Sequence, residues 1–206
     1  MKPKSFEAWL ESHPLRPFVR EQSEVKPLRR AADIGVIPHA LHIECKDGVP
    51  TAQIMKHFPV EKVTGIDRDE SLVAAARANP ACVGADFSVG DVRSLGFTDG
   101  TFDAVFDLAE LHNYPDWERG LREIHRVLKQ GGLLILEELS LESFSWGAGR
   151  LFKALTEHPY DVMFTADAFR DRVLETGFEI ASFDRRRPFG LLKYFTMIAR
   201  KPHQGR

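Results

Sequence analysis

The chain has 206 residues, of which 43% are hydrophobic and 28% charged, the balance of an ordinary globular domain. Its net charge is -2, so it lacks the basic excess of proteins that bind phosphate backbones, and a small-molecule partner is predicted rather than a nucleic acid. The two cysteines form no CxxC pair and have no metal-ligand spacing. No run of ~18 apolar residues indicates a membrane-spanning helix. These features predict a cytoplasmic protein without a metal site or membrane insertion.

The first 35 residues are rich in charge and carry scattered large apolar side chains. This pattern predicts two short helices, broken near Pro14 and ending at Gly35, that form an N-terminal helical cap. Residues 36–206 are predicted to form the main part of what is a single domain overall.

From Pro38 onward, short apolar runs alternate with helical patterns. Unbroken apolar strands, each followed by an amphipathic helix, are typical of a parallel sheet covered on both faces. The predicted strands are Ala40–Cys45, Lys62–Ile66, Phe87–Val89, Phe102–Leu108 and Leu133–Leu136. The predicted helices are Thr51–Phe58, Glu70–Ala78 with Asp69 as its cap, and one from Pro115 to the Gly131-Gly132 pair.

The final third departs from this alternation. Helices are predicted over Ser143–Leu155 and Ala166–Glu175, the second stopped by Gly177. Two β-rich runs follow, Phe178–Phe183 and Leu191–Ala199, with no helix between them. They predict an antiparallel pair at the edge of the sheet. The run 185–187, three arginines, predicts either an exposed loop or a contact site for an anionic substrate or partner.

Acidic residues follow two of the predicted strands. In an open parallel sheet, ligands bind outside the carboxyl ends of the strands. Asp67 ends the second strand, where its carboxylate either accepts both hydrogen bonds of a ribose diol or caps the next helix. Asp91 follows the third strand and either accepts from a purine amine, with Val92 offering its backbone N–H to the ring, or is an ordinary turn residue.

Three stretches together resemble the class I S-adenosylmethionine-dependent methyltransferases, particularly those that act on small metabolites. They are FDAVFDLAELHNYPDWERGLREIHRVLKQGGLLILEE, VTGIDRDESLVAAA and SVGDV. The resemblance implies an α/β, Rossmann-like three-layer sandwich with a seven-stranded, mostly parallel sheet and an antiparallel last strand. It also implies S-adenosylmethionine as the cofactor and methyl transfer to a small-molecule acceptor.

The resemblance assigns roles to residues at three strand ends. Asp67 is expected to bind the ribose hydroxyls and Arg68 to lie beside the adenine. Asp91 and Val92 are expected to frame the adenine amino edge. Leu108 is expected to contact the ring or the methionine portion.

The first loop departs from the family pattern of acid-x-Gly-x-Gly-x-Gly, because only Gly48 remains. His42, Glu44 and Lys46 stand at the other positions, and Glu44, Cys45 and Gly48 are the expected cofactor contacts here. A residue other than glycine in left-handed geometry costs roughly 1–2 kcal/mol. Lys46 is expected to repel the ammonium and sulfonium of the cofactor, an effect that Glu44 offsets in part.

Two other functions compete with methyl transfer. The altered loop is compatible with a methyltransferase-like binding module that has no transferase activity. A nicotinamide-dependent oxidoreductase shares the ribose acid, but no GxGxxG follows the first strand, and the chain ends in two successive strands.

Methyl transfer from a sulfonium is an in-line displacement that requires a base only when the acceptor must lose a proton. His112 is the candidate base, although a histidine here can also serve only to hydrogen-bond the loop. Glu137 and Glu138 are adjacent in a strand and point to opposite faces, so at most one faces the pocket. The candidates near the methyl group are Glu110, His112, Asn113, Tyr114 and Glu138.

Overall fold

The computed structural model describes residues 15–31, 34–145, 150, 153, 160–187 and 193–203. These residues form one seven-stranded sheet in the order β3-β2-β1-β4-β5-β7-β6. The strands are β1 (Ile37–Ile43), β2 (Val60–Asp67), β3 (Asp86–Val89), β4 (Phe102–Leu108), β5 (Leu128–Leu139), β6 (Glu179–Arg186) and β7 (Tyr194–Arg200).

The pairing confirms the predicted fold class. The neighbours from β3 to β5 are parallel, whereas β7 runs antiparallel to both β5 and β6. Because β7 enters between β5 and β6, the last strand is internal and β6 forms the edge. The strand order reverses beside β1, which leaves its carboxyl end open as the binding position of such sheets.

Helices cover both faces of the sheet. They are α1 (Arg16–Arg20), α2 (Lys26–Ala31), α3 (Val49–His57), α4 (Glu70–Ala78), α5 (Trp117–Val127) and α6 (Ala166–Glu175), and a π-helical turn at Glu21–Val25 joins α1 to α2. The predicted bounds of β4, α4 and α6 are confirmed, as is the Asp69 cap, which accepts from the backbone N–H groups of Ser71 and Leu72. Among the described helices, none combines the length and apolar character that a bilayer crossing requires.

Two apolar layers hold these helices to the sheet. On one face, Leu121 of α5 and Phe169 of α6 are fully buried against strand residues such as Val105. On the other face, Leu28 of α2 and Ile54 of α3 pack with a second set of buried strand residues. The described part of the N-terminal segment is therefore packed onto the sheet.

The boundary between α5 and β5 differs from the prediction. The helix ends at Val127 and β5 begins at Leu128, so the Gly131-Gly132 pair lies inside the strand and does not end the helix. Val127 and Leu128 are both apolar and do not mark the step from helix to strand, whereas the polar and glycine run that follows, 129–132, has the composition of a turn. Gly131 has a φ of 78° near an irregularity in the pairing of β5 with β4. The glycines thus permit a bulge in the strand.

The predictions for the last third and the N-terminus need further corrections. Arg185 and Arg186 lie within β6 and not in a loop, and Arg185 is ion-paired with Asp167 of α6. Instead of a helix that begins at Ser143, a 3₁₀ turn covers Leu141–Phe144. The segment 1–14, most of 146–159 and the segment 188–192 lie outside the described residues, as do the predicted break at Pro14 and the beginning of the last predicted strand. Helix α2 is described as far as Ala31, and residues 34–36 are not helical, so the helical segment does not extend to Gly35.

Candidate functional site

An open cleft of about 530 Å³ lies at the carboxyl ends of β1 and β2. It is where an open parallel sheet is expected to bind its ligand. The lining residues follow the two strands and the start of α4: Glu44, Lys46, Asp67, Arg68, Asp69 and Leu72. Three of the predicted cofactor residues, Glu44, Asp67 and Arg68, therefore share one cleft.

The loop between β1 and α3 has three left-handed residues. Glu44 and Lys46 have φ values of 50° and 51°, and Gly48 has a φ of 82°. The backbone thus has the left-handed turns that glycines permit, although two of the residues carry side chains. Gly48 is buried, and a Cβ there would lie 3.0 Å from Cys82 Sγ and 3.1 Å from Ala76 Cα. Gly48 therefore serves close packing of α3 against α4.

Asp67 fastens this loop to the end of β2. Its two carboxylate oxygens accept the backbone N–H groups of Lys46 and Asp69, each at 2.9 Å. The residue is only 3% exposed and contributes to the cleft wall. A carboxylate oxygen accepts more than one hydrogen bond, so each keeps capacity for a ligand hydroxyl.

Glu44 lies beside one aromatic and one cationic side chain, Tyr114 and Arg68. The Tyr114 hydroxyl donates a hydrogen bond to Glu44 Oε1, and the Arg68 guanidinium lies 4.4 Å from the centre of the Tyr114 ring. Burial raises the pKa of Glu44 to about 7, against the hydrogen bond from Tyr114, and the charges of Asp67 and Glu110 add to that rise. Glu44 is thus a titratable group in the physiological range within the cleft.

Lys46 joins this loop to the loop after β4. Its Nζ lies 2.8 Å from Glu110 Oε1, and the two side chains are 27% and 11% exposed. The ion pair crosses the carboxyl end of β1, which lies between β2 and β4. The positive charge of Lys46 therefore has a carboxylate partner of its own.

Asp91 is held by an arginine two residues further on. Arg93 donates from its backbone N–H and its guanidinium to the Asp91 carboxylate. The shortest of these contacts is 2.6 Å, from Arg93 Nη2 to Asp91 Oδ2. Hydrogen bonding from Arg93 holds the pKa of Asp91 below its usual range. The Arg93 guanidinium lies 5.3 Å from the centre of the Tyr114 ring, and the Tyr114 hydroxyl in turn donates to Glu44 in the cleft.

His112 belongs to a buried acidic cluster at the ends of β4 and β5. Its Nδ1 lies 2.6 Å from Glu138 Oε2, and its backbone N–H donates to Glu138 Oε1 at 3.3 Å. Burial raises the pKa of Glu138, and burial together with the charge of Glu138 raises the pKa of Asp107 well above its usual range. Glu138 therefore fixes the orientation of the His112 ring. In the neutral imidazole with its proton on Nδ1, Nε2 is the nitrogen that accepts a proton.

The remaining predicted residues are buried away from the lining of the cleft. Cys45 and Val92 are fully buried, and Leu108 is 2% exposed. His42 is also fully buried, with Nδ1 at 2.8 Å from Thr51 Oγ1, and burial lowers its pKa to about 3. The His42 ring is thus neutral and forms its hydrogen bond with Thr51 of α3, away from the cleft.

Sequence reasoning missed two partners. Arg93 was not singled out, although its position two residues after Asp91 is the available signal. The sequence predicts only that Lys46 repels a ligand. Its pairing with Glu110 joins two residues that are 64 positions apart in the chain, so no local pattern indicates it.

The sheet order and the internal antiparallel last strand define the class I methyltransferase fold. Residues 41–136 match the family model described as a methyltransferase domain. The described residues therefore have the fold of the class I S-adenosylmethionine-dependent methyltransferases, and a stretch of just under half of the chain matches a methyltransferase domain.

Similar proteins agree with this assignment. The chain is 36% identical over 89 residues to 2-methyl-6-phytyl-1,4-hydroquinone methyltransferase 1 of Oryza sativa subsp. japonica, which covers 43% of this chain and 27% of that protein. It is 35% identical over 124 residues to demethylmenaquinone methyltransferase of Staphylococcus aureus, which covers 58% of this chain and 52% of that protein. The chain thus spans about half the length, or less, of these two relatives.

A solved structure extends the likeness of fold to most of the chain. The S-adenosylmethionine-dependent methyltransferase from Mesorhizobium loti has a TM-score of 0.66 and 18% identity. The match covers 93% of this chain and 99% of that one. At this identity the likeness concerns the fold alone.

Proposed function

We propose that the protein transfers the methyl group of S-adenosylmethionine to a small aromatic acceptor that carries an ionisable hydroxyl. The observation that carries the cofactor assignment is Asp67, a buried carboxylate in the wall of the cleft, held rigidly by two backbone N–H groups. Such a carboxylate has the geometry and charge to accept hydrogen bonds from a ribose diol.

The residues of the cleft fit this cofactor. The backbone after β1 is left-handed at the positions where the family pattern has glycine, so the path of the loop supports the family's mode of binding. Arg68 lies over an aromatic ring at the edge of the cleft, where we propose that its guanidinium stacks on the adenine. Asp91 and Val92 are proposed to frame the amino edge of the base.

The loop and the neighbouring strand supply the rest of the proposed cofactor site. Glu44, Cys45 and Gly48 are proposed to shape the loop beneath the cofactor, and Leu108 to support the site from behind the cleft lining, at the end of β4. The bound cofactor supplies an electrophilic methyl group on a sulfonium.

His112 is proposed to take the acceptor proton at Nε2. Glu138 orients the ring from the other side, as the third group does in a nucleophile–base–acid arrangement. Loss of that proton to His112 would turn a phenol or hydroquinone into an anion that is nucleophilic at its oxygen and at a ring carbon. S-adenosylmethionine would supply the methyl group, with its C–S bond broken and S-adenosylhomocysteine as the leaving group. One relative is named for a hydroquinone, which carries such hydroxyls, and the other for demethylmenaquinone, whose reduced form is a hydroquinone; both names support this acceptor class.

Methyl transfer from labelled S-adenosylmethionine tests the proposed reaction. We expect labelled product from short-chain hydroquinones and catechols, and much less from thiols and amines. Product only from thiols or amines, with none from the hydroxylated rings, would contradict the acceptor class.

Asp67→Asn tests the proposed ribose site. We expect this variant to bind S-adenosylhomocysteine at least tenfold more weakly, because a neutral amide replaces the carboxylate acceptor. Asp86→Asn is the matched control, since Asp86 begins β3 and is paired with Lys62 outside the cleft. Unchanged affinity in a well-folded Asp67→Asn protein would remove the ribose from this position.

A further inference from the structure

The Lys46–Glu110 ion pair lies beside the proposed ribose site and has no role in the reaction described above. Lys46 Nζ and Glu110 Oε1 are 2.8 Å apart, and both side chains are largely buried at the carboxyl end of β1. The backbone N–H of the same lysine donates to Asp67 Oδ2 at 2.9 Å. A ligand whose ribose is held by Asp67 and that extends towards β4 therefore reaches this ion pair next.

The ion pair matches the chemistry of the amino-acid end of the cofactor. That end carries one carboxylate and one ammonium, and the protein offers one ammonium and one carboxylate in contact with each other. When the pair opens and each member takes the opposite charge of the ligand, every charge keeps a partner. The exchange avoids the large penalty of an unpaired buried charge.

We propose that Lys46 binds the α-carboxylate and Glu110 the α-ammonium of S-adenosylmethionine and S-adenosylhomocysteine. This inference rests on the proposed function, and it gives a reason for a lysine at a φ of 51°, where glycine is less strained. The loop after β1 has two carboxyl groups of its own, but Glu44 accepts the Tyr114 hydroxyl and has a pKa raised by burial, and Asp47 accepts the backbone N–H of Val49. Glu110 is therefore the acid available to the ligand ammonium.

Three ligands separate the two charged contacts. S-adenosylhomocysteine has both groups, its decarboxylated analogue S-adenosylthiopropylamine keeps only the ammonium, and 5′-methylthioadenosine has neither. Calorimetric titration of the full chain gives the affinity for each ligand in the wild type, Lys46→Met and Glu110→Gln. Lys62→Met is the matched control, because Lys62 lies outside the cleft and forms an exposed ion pair with Asp86, with 3.0 Å between the two charged groups.

Each variant has its own expected pattern. Lys46→Met should weaken S-adenosylhomocysteine binding at least tenfold and change the affinity for the decarboxylated analogue less than threefold. Glu110→Gln should weaken both ammonium-bearing ligands at least tenfold. Binding of 5′-methylthioadenosine should stay within threefold in every variant, because hydrogen bonds to charged groups account for the expected loss.

The outcomes distinguish this inference from the function on which it rests. If the wild type binds S-adenosylhomocysteine and the variants weaken all three ligands equally, or none, the ion pair does not hold the amino-acid end, although the cofactor site stands. If the folded wild type binds none of the three ligands, both the cofactor site and this inference are wrong. Melting curves of all variants ensure that folded proteins are compared.

Discussion

Glu44→Gln should stabilise the protein at pH 8 and have little effect at pH 4.5. The glutamine keeps the size of the side chain and an oxygen that accepts from Tyr114, but it removes the ionisable group. Burial raises the pKa of Glu44 from 4.5 to about 7 in the folded protein. The folded state therefore disfavours the charged form that the unfolded chain adopts freely above pH 4.5.

The direction and the size of the effect follow from linkage. Below pH 4.5 the carboxyl is protonated in both states, and no penalty arises. Between pH 4.5 and 7 the unfolded chain loses its proton first, so the free energy of unfolding falls, and above pH 7 the loss is complete. The shift from 4.5 to about 7 corresponds to about 3 kcal/mol. For a chain of this length that free energy is equivalent to roughly 6–12 °C in Tm.

Thermal and urea unfolding of the ligand-free protein at several pH values measures this effect. The difference in unfolding free energy between Glu44→Gln and the wild type should grow from near zero at pH 4.5 to about 2–3 kcal/mol at pH 8. Glu179→Gln, at an exposed position in β6, serves as the control and should show no such growth. A constant difference across this range, or one that falls with pH, would show that burial does not raise the pKa of Glu44.

Two further variants test the packing and the proposed base. Gly65→Ala should lower the free energy of unfolding by about 1–3 kcal/mol in urea, because a Cβ there would lie 2.6 Å from the Phe87 ring. Gly35→Ala is the control, with open space around its Cβ, and should lose far less; equal losses would contradict this packing argument. Glu138→Gln should slow methyl transfer at least tenfold while S-adenosylhomocysteine affinity stays within twofold, because the variant removes only the carboxylate that orients the His112 ring. An equal loss of affinity would show a structural effect on the cofactor site instead.

Much of the fold follows from local patterns in the sequence. Strand β4 and the helices α4 and α6 have the predicted bounds, since apolar runs, the Asp69 cap and the Gly177 stop mark them locally. The antiparallel ending was also predictable, because two strands in succession leave no crossover helix for parallel pairing. The α5–β5 boundary was not, because Leu128, the first residue of β5, is followed directly by Lys129, Gln130 and two glycines, a composition that is typical of a turn.

The site was predictable in part and for a similar reason. Asp67 and Arg68 follow a strand directly, so the topology alone brings them to the cleft. The contacts that set the electrostatics of the cleft depend on tertiary structure instead. Tyr114 reaches Glu44 from 70 positions away, and Lys46 reaches Glu110 from 64. No local pattern in a single sequence gives such pairs.

The most direct test of the account is a calorimetric titration of the full chain with S-adenosylhomocysteine and, separately, with S-adenosylmethionine. We expect one binding site with micromolar affinity for at least one of them, since the loop keeps its left-handed path and Lys46 has a carboxylate partner. Absence of binding up to millimolar ligand, with the protein shown to be folded, would contradict the central claim that this cleft is a cofactor site.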